Sequence, residues 1–112
     1  MGWKLYPVTY GHNGMLHTVT AQVRGEWCLH RIPHPDPTGG WQVTHMITGI
    51  NITKLADDLT ERDARRIVKA LVRDVPTIGV YHVLSITELR KLDPEIGRII
   101  EAVVAESLAD HE

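Results

Sequence analysis

The sequence predicts an α+β fold: an antiparallel sheet of three to five strands from the N-terminal half, packed by an amphipathic helix and a C-terminal helix pair. Three observations lead there. Residues 3–53 alternate strand-type runs with turn residues. Residues 60–74 carry apolar side chains at helical spacing. Beyond Pro76 stand two more helix starts, Ser85-Ile86-Thr87-Glu88 and Asp93-Pro94.

Trp3 to Tyr10 has strand-type residues, and Pro7 marks it as an edge strand because proline cannot donate to a ladder. Gly11-His12-Asn13-Gly14 reads as a turn. Residues 15–24 and 26–32 read as a hairpin about Arg24-Gly25-Glu26. The second strand puts Trp27, Leu29 and Arg31 on one face and Cys28, His30 and Ile32 on the other. Pro33, Pro35 and Pro37 exclude helix and ladder, so 33–40 is a stiff projecting loop. Residues 41–47 alternate again, with Trp41, Val43, His45 and Ile47 sharing a face. After Gly49, Ile50-Asn51-Ile52 either extends that strand past a bulge or begins a short new one.

Thr60-Glu61-Arg62-Asp63 resembles a capping box. In the helix that follows, Ala64, Ile67, Val68 and Leu71 form an apolar stripe, and Asp74-Val75-Pro76 stops it. A strand over 78–84, a short helix to Leu92 and a helix over 94–109 complete the chain. Ile96, Ile99, Ile100, Val103 and Val104 share one face of the last helix, with Gly97 beside them allowing a close neighbour.

The 112 residues are expected to form one domain, a sheet-forming part over about 3–53 and a helical part over about 60–110. A net charge of −2 argues against a general polyanion binder but leaves room for a local basic patch. The single cysteine, Cys28, cannot form an internal disulfide. The N-terminus lacks the apolar run of a signal peptide, and no window has the length of a membrane span. A soluble, cytoplasmic protein with no membrane association is the expectation. The chain has no Phe but three Trp, three Tyr and seven His, which suggests a polar aromatic contact surface.

Four groups of residues offer chemistry. Cys28, His30, His34 and His45 are zinc-ligand types, but their C-x-H spacing is not that of structural zinc sites, so neither metal nor cofactor is expected. His30, Asp36 and Thr38 make an acid–base group that any His-rich chain offers by chance, and G-x-S-x-G and H-E-x-x-H are absent. A metal-dependent or His-based enzyme is therefore the least expected reading. Arg62, Arg66, Lys69 and Arg73, with Arg65 at their shoulder, align opposite the apolar stripe; they suit phosphates or an acidic protein surface. Trp27, His34, Asp36 and Trp41, with Tyr6 and Tyr10, mark an aromatic and proline edge, where Trp27 and Trp41 serve either as contact anchors or as core fillers.

The plan of three strands followed by one helix, over about 15–74, resembles the arm-binding domain of phage-type integrases and the plant AP2 domain, which implies DNA binding. In those domains the strands carry the basic and aromatic readers of the major groove; here the strands hold only Arg24 and Arg31, beside Glu26 and Asp36. Trp41-Gln42-Val43-Thr44-His45 with Thr48-Gly49 is similar in style to small accessory proteins of phages and other mobile elements, which implies a module that engages a host protein. The sequence thus ranks a non-enzymatic protein-binding module first and a nucleic-acid binder on helix 61–73 second. The apolar face of helix 94–109 makes a homodimer a further expectation.

Overall fold

The computed structural model describes residues 2–12, 15–31, 40–52, 59–78 and 86–109. Four strands, β1 (Lys4–His12), β2 (Met15–Arg24), β3 (Trp27–Arg31) and β4 (Trp41–His45), form one antiparallel sheet in the order β1-β2-β3-β4. Three helices follow, α1 (Glu61–Asp74), α2 (Ile86–Leu92) and α3 (Pro94–Ala109). This is the predicted α+β class, C-terminal helix pair included.

Local chemistry explains the joints. Gly25 takes a φ of 62°, a left-handed value that turns β2 into β3 within two residues. Thr60 caps α1, its hydroxyl accepting the Asp63 amide at 3.1 Å. The Asp93 carboxylate accepts the Ile96 amide at 3.1 Å and starts α3. Gly97 allows α3 to approach α2: a Cβ there would lie 2.8 Å from Arg90 Cγ and 3.2 Å from Arg90 Cα. Arg90 also pairs with Glu101 across the same contact.

The register sorts the two sheet faces. Trp27 lies opposite His45, and Leu29 opposite Val43; these residues face the helices. They join Ile67, Val68 and Leu71 of α1, Leu89 of α2 and Ile100 of α3 in the main core. The opposite sheet face carries Val8, Ala21 and Cys28 as a small second cluster.

Several expectations change. β4 ends at His45 rather than at residue 47, and Ile47 stands 59% exposed in the turn beyond. The segment Ile50 to Ile52 takes the second of its two expected courses: it does not prolong β4 but makes a short new antiparallel pairing, with Asn51 bridged to Thr44. It folds back along β4, with His45 N donating to Ile50 O at 2.8 Å and Ile52 N to Val43 O at 3.1 Å. Gly49, at a φ of 77°, makes that reversal. β1 reaches His12, two residues into the expected turn, while β2 spans Met15 to Arg24 as expected. Residues 79–84 of the predicted strand, the Ser85 cap and residues 33–39 of the proline loop lie outside the described residues.

Candidate functional site

α1 buries one face and presents the other, as its periodicity requires. Ala64, Ile67, Val68 and Leu71 are buried; Arg62, Arg65, Lys69 and Arg73 are exposed, and Arg66 is half-buried. Two shallow concavities flank this cationic face. One, of about 380 Å³, is lined by Glu61, Arg62, Arg65, Arg66 and Lys69. The other, of about 330 Å³, brings Arg66, Lys69 and Arg73 against Val103, Glu106 and Ser107 of α3.

The cations are not equivalent. Arg73 is clamped by the neighbouring Asp74, with Nε and Nη2 donating at 2.9 and 2.8 Å. That contact holds the Asp74 carboxyl below its ordinary range, and Glu106 adds a second negative charge near Arg73. Arg65 donates to Gln22 Oε1 at 2.9 Å and sits 3.9 Å from Glu61, which itself accepts the Gln22 amide at 2.8 Å. Arg62 and Lys69 have no ion-pair partner among the described residues. The aligned set is therefore a short cationic patch bounded by acids, not a uniform stripe. Periodicity alone missed this because Glu106 arrives from another helix.

The aromatic edge divides. Trp27 is fully buried, its indole donating to the Val75 carbonyl at 2.8 Å, and is no contact residue. It fills the core because its strand face meets α1. Trp41 is half-buried, with the Arg31 guanidinium 5.9 Å over its ring. His34 and Asp36, like Thr38, lie outside the described residues.

The candidate metal set is split by the sheet. Cys28 and His30 point to one face and His45 to the other, as successive residues must on paired strands. The set's described members are also buried, and both histidines are hydrogen-bonded. Burial pushes the Cys28 thiol up to about 12, far from a ready thiolate. His30 donates through Nδ1 to the Arg31 carbonyl at 3.2 Å and meets the Thr44 hydroxyl through Nε2 at 2.9 Å. His45 donates through Nε2 to Glu26 at 2.8 Å, while its Nδ1 lies 2.9 Å from the Thr48 hydroxyl. Among the described residues no three metal-ligating side chains gather. The acid–base group of His30, Asp36 and Thr38 keeps only His30 within view, and His30 is buried.

Sequence reasoning missed a second surface. Two guanidinium groups pack on the Trp3 ring, Arg24 at 5.6 Å from its centroid and Arg65 at 5.9 Å. Beside it an open groove of about 510 Å³ is lined by Lys4, Tyr6, Val23, Arg24, Met46 and Val72, with Gly2 and Gly25. Of its lining only Tyr6 stands out in the sequence as a contact residue, as part of the aromatic edge; Val72 and Met46 come from remote elements. No helix among the described residues is long and apolar enough to cross a membrane. Comparison with protein-family models, with curated proteins and with solved structures finds no match.

Proposed function

We propose that this protein is a small, non-enzymatic binding module that engages an acidic segment of a protein partner across the exposed face of α1. The observation that carries this reading is the pair Arg62 and Lys69, exposed and without a described ion-pair partner, on either side of half-buried Arg66. Two cations held on a rigid helix about 10 Å apart along its axis suit carboxylates on a short peptide. The acids at the patch ends favour a protein over nucleic acid. A phosphate backbone continued along α1 would meet Glu61 at one end, and Asp74 and Glu106 at the other. A protein partner can place its own basic residues there.

Fluorescence anisotropy with a labelled oligoglutamate peptide and a labelled oligothymidine strand tests this at low salt. The peptide is expected to bind, to weaken with added salt, and to lose roughly tenfold or more in the Arg62→Glu, Lys69→Glu double variant. Tighter binding of the DNA strand, lost in the same variant, would replace this reading with the nucleic-acid one.

A further inference from the structure

We infer that the groove beside Trp3 receives an apolar side chain of the same acidic partner segment, so that the module recognises a peptide with an apolar anchor next to a run of carboxylates. This rests on the reading above and adds to it the class of peptide.

The groove has the two properties such an anchor needs. Val23, Met46 and Val72 give it apolar walls, and Lys4 and Arg24 put positive charge on it. Arg24 then connects the groove to α1. Its guanidinium packs on Trp3, whose ring is also packed by Arg65, and Arg65 shares a concavity with Arg62 and Arg66. Cations therefore continue from the groove, across one tryptophan, to the patch on α1. The nearest acid on the turn, Glu26, is turned away: its carboxylate accepts from His45 at 2.8 Å and from Thr77 at 3.0 Å. An apolar carboxylate of small size would use Lys4 and Arg24 and leave the cations beyond Trp3 unused. A peptide with an apolar residue followed by acids would use the whole series.

The groove floor is held in place by the β2–β3 turn. Met46 N donates to the Glu26 carbonyl at 2.8 Å, and Gly25 lies against Val72, where an added Cβ would come within 3.5 Å of its side chain. Little rearrangement is needed to admit a side chain from solvent.

Three labelled peptides decide it: one of oligoglutamate, and two of the same sequence carrying a Leu-Leu pair, at the amino end of one and at the carboxyl end of the other. At least one tagged peptide is expected to bind roughly tenfold or more tightly than the untagged one. Tyr6→Ser, at an exposed position, and Met46→Ser are each expected to remove most of that gain and leave the untagged peptide unaffected. If the tag brings no gain, or the gain survives both variants, the groove is not the anchor site; the reading of α1 then stands on the untagged peptide alone. If no peptide binds even at low salt, both fall. Light scattering covers the other occupant: concentration-dependent self-association abolished by Tyr6→Ser would assign the groove to a second copy and overturn the inference.

Discussion

His45 is buried beside Trp27, their rings 4.9 Å apart, with its Nε2 on Glu26. Burial lowers its pKa below the ordinary 6.5, and the Glu26 carboxylate offsets only part of that. The unfolded chain therefore takes up a proton near pH 6.5 that the folded chain still refuses. The stability this contributes is complete above about 6.5 and is lost as pH falls toward the lower folded value. Buried His30 acts in the same direction. Glu26 follows at lower pH: burial raises its pKa, but hydrogen bonds from His45 and Thr77 outweigh that and leave it below 4.5. Urea midpoints should thus stay level above pH 6.5 and fall below it, with a shallower fall in His45→Gln. A midpoint that rises on acidification would contradict this account. Trp27→Phe tests a neighbouring contact. It leaves the buried Val75 carbonyl without its indole donor, and the expected loss is about 1–3 kcal/mol in chemical denaturation.

At the scale of elements, α1 was legible almost to the residue. Its cap, its apolar stripe and its stop are all encoded within a few residues of one another. Thr60→Ala should cost about 1 kcal/mol, measured by denaturation, because one orphan amide of the first turn loses its acceptor. Gly97 was legible only as a permissive position beside an apolar face. The structure supplies the neighbour, the Cα and Cγ of Arg90 on α2. Gly97→Ala should therefore destabilise by about 1–3 kcal/mol despite the better helix propensity of alanine. A stabilised variant would mean that α2 can shift away freely. The end of β4 was not legible. Met46 and Ile47 continue the alternation of the strand, yet the chain turns after His45 because Ile50 and Ile52 are fully buried along its flank.

At the scale of the molecule, α3 is spent on its own chain. Ile100, Val103 and Val104 belong to the core shared with α1 and α2. The homodimer expected through this face meets that burial: a second copy would have to compete with contacts already made. The protein should accordingly run as a monomer in size exclusion with light scattering at micromolar concentration. A stable dimer unaffected by Tyr6→Ser would point to a face other than the groove. The candidate site was half legible at this scale. Arg62, Arg66, Lys69 and Arg73 share a helix face by spacing alone, but Arg73 is set apart by Asp74 and by Glu106 of α3, and Arg65 at their shoulder is tied to Gln22 and Trp3 of the sheet side.

By itself the sequence determined what short-range physics controls. Alternation along β2, β3 and β4, helical periodicity in α1 and α3, and the caps at Thr60 and Asp93 all act within a turn or two of backbone. Only the tertiary structure decided which face of β3 met α1. That choice buried Trp27, put Cys28 and His45 on opposite sides of the sheet, and joined Arg24 to Arg65 through Trp3. The physical reason is range: these contacts link residues tens of positions apart, and they are set by how the sheet and helices bury their apolar faces together rather than by any local preference.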